Sequence, residues 1–431
     1  MSLQLIVSML TRLLTEKTQS VDFLNEFRQP NCFIRNRMLS MSQVVKFLFF
    51  KNDSTIASRL HHVRGFLMDR AGNCEFPLVT SQAISKARGG ILPELFRILF
   101  DKWVSLYYKL NTCVKLWKGK YRPFAIDGTE LDIPSHKSTH EEFGVHSDPK
   151  NPNYKWSQGL GSVMYDVLQD IIIDAVLGKD GANERDLAMQ HISRAKDLGI
   201  FAQNNVVILF DRGYYSAEMY WECVQADCKC LMRLKKSSGF CKLELDDDIV
   251  EISAPDGTVM TARVLKTLLS TGETEYLITN IMDDDLTCDD FRELYFDRWQ
   301  IEQKYREAKE FWKIEEFSGH TVYAVRQDFY INMILINMTS IVKAMTDQLI
   351  SEKSRSSNKY KYQARRTYLI GRMAGCICRW LFVSTDEMLR DLENLIREAS
   401  HEKSQIKDGR SFSRNKKNRA RKQYNNKKSA I

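Results

Sequence analysis

The chain opens with a helical rhythm. In Leu3–Leu14, Ser42–Phe50 and Pro93–Trp117 apolar residues recur three and four positions apart, so residues 1–118 read as mainly helical. Near residue 119 the rhythm changes. Phe124-Ala125-Ile126 is a short apolar run that ends in an acid, Asp127, followed by Gly128-Thr129. Gly159–Leu168 and Asp170–Leu177 are β-rich runs joined tightly around Gln169, which predicts a hairpin. Glu184–Leu198 returns to the helical period. Asn205–Phe210, NVVILF, is continuously apolar, the pattern of a strand buried on both faces, and it too ends in an acid, Asp211. A helix from Ser216 to Ala226 and a strand at Cys230–Leu234 complete an alternating α/β segment.

Residues 237–290 turn β-like again. Lys242–Leu245, Ile249–Ile252, Val259–Leu265 and Glu275–Ile281 read as strands, with Pro255-Asp256-Gly257 as a turn, and together they predict a β insertion within the α/β region. Helical patterns follow at Tyr295–Lys309, Ala324–Leu349 and Thr385–Ala399, with a polar linker at Ser351–Asn358. The apolar run Phe329–Val342 is interrupted by Asn332, Asn337 and Thr339, so no stretch is expected to approach a transmembrane span. The opening MSLQLIVSMLTRLL lacks a basic leader and reads as an amphipathic helix, not a signal peptide.

Composition changes this picture in one place. The chain has 431 residues, 43% hydrophobic and 27% charged, the balance of a globular protein with room for more than one domain. Its net charge of +8 is a property of the tail, because Gly409–Ile431 alone holds nine Lys and Arg and no acid. That tail is too poor in apolar residues to fold and is expected to be disordered, available for sequence-independent DNA affinity or for solubility. The ten cysteines read as reduced thiols: Cys223, Cys228, Cys230 and Cys241 have no common zinc spacing, and Cys376 and Cys378 would face opposite sides of a strand. Thr80–Arg88 offers a weak helix-turn-helix-like start with Lys86 and Arg88, against the plainer reading of a helical cap.

The chemistry gathers around YFDRWQIEQKYREAK. On one helix, at roughly 100° per residue, Tyr295, Arg298, Glu302 and Lys309 fall within an arc of about 60°. Leu294, Ile301, Tyr305, Ala308 and Trp312 form an apolar stripe beside them that would seat the helix on a core. Such rows are often solvated charge pairs. Two upstream strands that end in Asp127 and Asp211 change the balance, since functional sites of open α/β sheets form at the carboxyl ends of strands. Three carboxylates close together repel unless a cation neutralises them, and the fitting occupant is a hard divalent ion, Mg2+ or Mn2+. His136, His140 and His146 read as solvated loop residues. Arg212 stands beside Asp211, to steady it or to meet DNA, and Gly213 is read as the point where the backbone turns away.

Three sequences together, IDGT at 126–129, LFDRGY at 209–214 and the Tyr295/Arg298/Glu302/Lys309 row, resemble the D-D-E transposases of bacterial insertion sequences, in particular the insertion-sequence-four family with its Y-R-E-K signature. The likeness covers about residues 80–345. It implies an α/β, ribonuclease-H-like catalytic core interrupted by the β insertion, with a helical N-terminal domain and a helical C-terminal region. The implied partition is 1–118 for the helical domain, with a place for transposon-end binding, 119–236 for the first part of the core and 237–290 for the insertion. Residues 291–350 would be the final core helices, 351–408 a helical C-terminal region and 409–431 the basic tail. Asp127, Asp211 and Glu302 would be catalytic and hold two divalent ions. Tyr295, Arg298, Lys309 and Arg212 would contact DNA. The implied activity is cut-and-paste transposition in a bacterial, cytoplasmic, nucleoid-associated protein. It would act as a homodimer on double-stranded DNA, both terminal inverted repeats and target, with no membrane partner. Relatives that form a hairpin stack an extruded base on a Trp in the β insertion. Residues 237–290 contain no Trp, which leaves Phe240 or Tyr276 as substitutes. A domesticated DNA-binding protein and a metal-dependent nuclease of the same fold are the alternatives.

Overall fold

The computed structural model describes residues 1–34, 38–51, 55–69, 74–112, 114–148, 151–201, 205–243, 246–268, 272–354 and 359–406. Among these, six helices lead the chain: α1 (Leu3–Gln19), α2 (Val21–Asn25), α3 (Met41–Leu48), α4 (Ile56–Leu67), α5 (Ser81–Arg88) and α6 (Glu94–Leu110). Ser2, Ser20, Ser40, Thr55 and Thr80 cap the first five, each side chain accepting a backbone N–H from the opening turn. Next come β1 (Tyr121–Ile133), α7 (Lys137–Phe143), β2 (His146–Asp148), β3 (Asn151–Asp166), β4 (Ile171–Lys179), α8 (Glu184–Asp197), β5 (Asn205–Phe210), α9 (Ala217–Gln225) and β6 (Lys229–Arg233). The inserted strands are β7 (Asp247–Ser253), β8 (Val259–Leu268) and β9 (Thr274–Thr279). The chain then runs through α10 (Cys288–Asp297), α11 (Trp299–Glu310), α12 (Val322–Glu352), β10 (Tyr362–Ala364), α13 (Arg366–Trp380), α14 (Thr385–Ala399) and β11 (Lys403–Gln405).

These elements form two compact units. One gathers the described residues of Met1–Thr112, Asp132–Ser157 and Ala308–Ile431, and the other those of Cys113–Leu131 and Gln158–Glu307.

The second unit is a mixed α/β body on a large sheet, with strands in the order β3-β1-β5-β6-β9-β8-β7 and β4 paired to β3. At its centre β1, β5 and β6 run parallel, Tyr121 opposite Asn205 through Ala125 opposite Leu209, and Val207 opposite Lys229 through Phe210 opposite Met232. Burial of β5 beyond its first residue accounts for the unbroken apolar run there. The inserted strands extend this same sheet: β9 lies antiparallel to β6, with Leu231 opposite Thr279, and β8 and β7 continue outward as a meander. Lys242–Leu245 differs from its expected strand. Gly239–Lys242 is a 3-10 turn, and residues 244–245 lie outside the described residues. The β3–β4 hairpin turns through Asp170, whose φ of 59° puts it in the left-handed region that Asp tolerates better than most residues.

The first unit is organised on α12, which packs against α1, α6, α13, α14 and β10. Contrary to the sequence expectation, α12 is long and apolar enough to cross a membrane, but 83% of its apolar window is buried inside the protein, the condition of a core helix. Arg88 at the end of α5 is buried against it. Arg88 donates to Gln327 Oε1 at 2.6 Å, Ser318 Oγ at 2.5 Å, the Ala324 carbonyl at 2.8 Å and Asp328 Oδ1 at 2.7 Å. Of the two cations that made Thr80–Arg88 look like a DNA reader, Arg88 is thus tied inside the unit, while Lys86 is exposed. Of the three histidines, His136 is an exposed loop residue that caps α7, but His140 lies in that helix bonded to Ser135, and His146 lies in β2 with its ring stacked on Trp156. Cys376 and Cys378 sit on helix α13, not on a strand, and the nine described cysteines are free. The basic tail lies outside the described residues.

Candidate functional site

The parallel strands β1 and β5 stay paired as far as Ala125 and Leu209. Asp127 and Asp211 each stand two residues past that last pair, so the register itself puts two acids at one sheet edge where the strands part. β1 continues toward Ile133, while β5 ends at Phe210. Gly128 N–H donates to Asp127 Oδ1 at 2.9 Å. A side chain at Gly128 would press within 3.1 Å of Glu184 Oε1 and of Leu160 Cδ1, so a larger residue there would have to displace these side-chain ends. The loop after β5 is held by Arg185, which donates to the Gly213 carbonyl at 3.1 and 3.0 Å and to the Tyr215 carbonyl at 3.2 Å. Gly213 itself adopts no left-handed conformation and has open space around its Cα, so the turn does not depend on its being glycine.

The third acid arrives on helices that the sequence pattern merged into one. The stretch from Tyr295 is α10 and α11, broken at Arg298. At the break the ladder tightens: Arg298 N–H bonds to the Tyr295 carbonyl and Ile301 N–H to the Arg298 carbonyl, both three residues back. α11 is pinned by two side chains from its inner face. Lys304 Nζ reaches Asp170 Oδ1 at 2.5 Å, and Tyr305 hydroxyl donates to the Asp127 carbonyl at 2.6 Å and to the Gly161 carbonyl at 3.3 Å. Ile301 on the same helix is fully buried, as its apolar stripe predicts.

Arg298 is where the three acids meet. Its guanidinium lies 3.7 Å from Asp127 Oδ2, 3.8 Å from Asp211 Oδ1 and 3.5 Å from Glu302 Oε1. The Arg298 side chain is 4% exposed, whereas those of Asp127, Asp211 and Glu302 are 20%, 38% and 29% exposed. The carboxylates are therefore open to a solute and the cation behind them is not. Tyr295 hydroxyl donates to Asp211 Oδ1 at 3.3 Å, and the rings of Tyr295 and Trp299 flank the guanidinium at 5.7 and 5.4 Å. One guanidinium does not balance three acids. Burial pushes the Asp127 carboxyl up to about 6, opposed by Arg298 and the Gly128 N–H and reinforced by the negative charges of Glu184 and Asp211. Burial likewise raises Tyr214, whose hydroxyl lies under the influence of Asp127, Glu184 and Asp211 and has no hydrogen-bond partner among the described residues.

Among the described residues no three His, Cys, Asp or Glu side chains form a ready-made metal cage. The donor set nonetheless fits a divalent ion. It consists of hard carboxylate oxygens from three acids that share the Arg298 guanidinium, with the Tyr214 hydroxyl, which has no hydrogen-bond partner among the described residues, alongside. Two features escaped the sequence reading. Glu184, the first residue of α8, brings a fourth acid near Asp127, signalled only by its place at a helix start. A cavity of about 670 Å3 also opens beside the acids in the second unit, lined by Trp117, Arg233, Glu275, Tyr295, Phe296 and Trp299.

The remaining expected residues, Arg212 and Lys309, make no contact of their own with the three acids among the described contacts. Arg212 is exposed, with no ion pair to Asp211. Lys309, near the end of α11, belongs to the first unit, where its ammonium lies 3.7 Å from the buried Glu315.

The comparisons with known proteins bear on the same segment. The chain is 26% identical over 249 residues to the transposase InsG for insertion sequence element IS4 of Escherichia coli strain K12, a match that covers 54% of this chain. It spans 54% of that relative's length, about half. A cryo-EM structure of the piggyBac transposase synaptic complex with hairpin DNA aligns at a TM-score of 0.44 and 10% identity, over 91% of this chain and 85% of that one. Residues 118–338, half of the chain and the stretch that holds Asp127, Asp211, Glu302 and Lys309, match the family described as Transposase DDE domain, and the chain belongs to that family.

Proposed function

We propose that the protein is a DNA transposase that carries out cut-and-paste transposition of an insertion sequence, with Asp127, Asp211 and Glu302 as its catalytic carboxylates in a ribonuclease-H-like core. The observation that carries this reading is the convergence of the three acids on one guanidinium at the sheet edge. In strand cleavage a water oxygen bonds to the scissile phosphorus and the P–O3′ bond breaks, leaving a 3′-hydroxyl and a 5′-phosphate. In strand transfer that hydroxyl attacks a target phosphodiester and displaces its 3′-oxygen, so each step exchanges one P–O bond for another and no covalent enzyme intermediate is needed.

Asp127, Asp211 and Glu302 would hold Mg2+ or Mn2+, two ions in the full site. Bound there, the metal supplies Lewis-acid stabilisation of the attacking and leaving oxygens. The protein's own groups do the rest. Tyr305 and Lys304 fix the helix that carries Glu302. Tyr295 and Arg298, expected as DNA contacts, are each only 4% exposed and face the carboxylates from behind, so in this reading they hold the acids in place and are not surfaces that a phosphate reaches. Arg212, exposed on the neighbouring loop, and Lys309 are the DNA contacts of this reading. Trp299 and Phe296, which line the cavity, offer a stacking surface besides Phe240 and Tyr276, with the Trp that residues 237–290 lack. The substrates would be double-stranded terminal repeats and target DNA, held by a homodimer in the bacterial cytoplasm, at the nucleoid.

The test is Mg2+-dependent cleavage of DNA carrying the element's ends. Asp127→Asn and Glu302→Gln should each lose cleavage while retaining DNA binding, and cleavage by either at the wild-type rate would remove the reading.

A further inference from the structure

We propose that Ser162, held by a buried Asp174–His191 pair, is a positioning residue for Asp127. The inference rests on the reading of Asp127 as a cleavage carboxylate. The chain of contacts runs from β4 through α8 to β3 and ends on β1. His191 Nδ1 lies 2.5 Å from Asp174 Oδ2, His191 Nε2 lies 3.0 Å from Ser162 Oγ, and Ser162 Oγ lies 3.3 Å from the backbone carbonyl oxygen of Asp127. Arg194 Nε stands 3.7 Å from the other oxygen of Asp174.

Asp, His and Ser in this order resemble a nucleophilic triad, but burial rules that out. All three residues are completely buried, so no substrate reaches the hydroxyl. The hydroxyl is aimed instead at the main chain of a site residue. Hydrogen counting gives the chain its direction. Ser162 has a single hydroxyl proton. Both of its contacts are hydrogen bonds only if His191 Nε2–H donates to Oγ and Oγ–H donates to the Asp127 carbonyl. Asp174 Oδ2 on the far nitrogen, Nδ1, fixes the imidazole ring in the orientation that turns Nε2 toward Ser162.

The Asp127 carbonyl then accepts two hydroxyls, Ser162 from the β3 side and Tyr305 from α11 at 2.6 Å. This matters because β1 has left its pairing with β5 after Ala125, so Asp127 has no partner strand on that flank. The two hydroxyls fix the peptide plane from which the Asp127 side chain departs. Outer-shell partners of metal-binding groups typically change metal affinity or activity by about 10- to 100-fold when removed.

The experiment uses the full-length protein, with Mn2+ affinity measured by calorimetry, kcat and KM for strand cleavage, and Tm. Ser162→Ala should weaken Mn2+ binding and lower kcat by about 10-fold or more while KM for DNA stays put. Asp174→Asn leaves Ser162 and Asp127 intact but removes the carboxylate that holds the His191 ring. It should produce a similar loss, and the double variant should lose little more than either single one. Ser162→Thr keeps the hydroxyl and should restore Mn2+ affinity even if its added methyl lowers Tm. Nitrogen-15 spectra of labelled histidine should show His191 Nε2 protonated. Wild-type Mn2+ affinity and kcat in Ser162→Ala, or a bare His191 Nε2, overturns the proposal, as does failure of the threonine variant to recover affinity. Asp127→Asn separates this from the parent reading. If that variant is inactive and Ser162→Ala is unimpaired, only the positioning role falls; if Asp127→Asn cleaves normally, the assigned chemistry falls first.

Discussion

Arg88 and Arg298 are both buried and both meet acids, and they do so in opposite ways. Arg88 in the first unit has short bonds from all three guanidinium nitrogens, and its partner Asp328 also accepts the Ser318 N–H at 2.6 Å. Although burial acts to raise it, the Asp328 carboxyl is held well below its usual range by Arg88, with Lys51, the Ser318 N–H and Arg59 adding to the effect. Arg298 in the second unit faces three acids at 3.5–3.8 Å, its Nε has no partner among the described residues, and Asp127 is pushed up to about 6. The first arrangement is a satisfied strut. The second is a cluster short of positive charge, the electrostatic condition of a site that takes a cation. Residue types do not distinguish the two; contact lengths and the direction of the carboxyl shift do.

The largest effect that tests this contrast is on chemistry. Asp127→Asn should lower metal-dependent cleavage by at least about 10²-fold, the scale for loss of one charge-stabilising group, with little change in Tm. A large fall in Tm instead would make Asp127 a strut like Asp328. Next comes stability. Arg88→Met should cost about 3–5 kcal/mol in denaturant unfolding, because it strands Asp328 in the interior. Replacing both partners by apolar residues should recover much of that loss.

The acid limb of the stability curve sharpens the same point. Asp328 has a depressed folded-state pKa, so its stabilisation is present above the unfolded carboxylate value of about 3.9 and fades as pH falls through the lower folded value. The stability gap between wild type and Asp328→Asn should therefore hold at neutral pH and close only below about pH 4. Arg298→Met should be milder than Arg88→Met, about 1.5–3 kcal/mol without metal, and should enlarge the Tm gain on adding Mn2+. Smallest of all, Lys309→Ala should weaken DNA binding and reduce its salt slope by about one. An unchanged slope would assign Lys309 to Glu315 alone.

Much of the α/β region was legible because its signals are local. NVVILF matches β5 to the residue, Thr385–Ala399 matches α14, and Asp127 within β1 and Asp211 after β5 were visible as run-ending residues, although β1 continues past Asp127 to Ile133. Where the sequence misled, nonlocal geometry or mixed patterning was responsible. GRMAGCICRW in α13 interleaves Gly and Cys with its apolar positions and hides the helical period. Angular phase grouped Tyr295, Arg298 and Glu302 correctly. It does not reveal a break in the helix, nor that Arg298 points at the acids. Ser162, Asp174 and His191 come from two strands and a helix, and their meeting depends on strand pairing that no local pattern encodes.

The division of the chain has a consequence for synthesis. The second unit draws on Cys113–Leu131 and Gln158–Glu307, and all of it is synthesised before α12 begins at Val322. α1 and α6 emerge first, yet both pack on α12, which begins about 200 residues after α6 ends. At about 5–20 residues per second the apolar sides of these early helices wait roughly 10–40 s for their partner. The nascent chain is therefore a client for holding chaperones at its N-terminus while its middle is already folding, and its yield in a cell should depend more on translation speed than on the finished protein's stability.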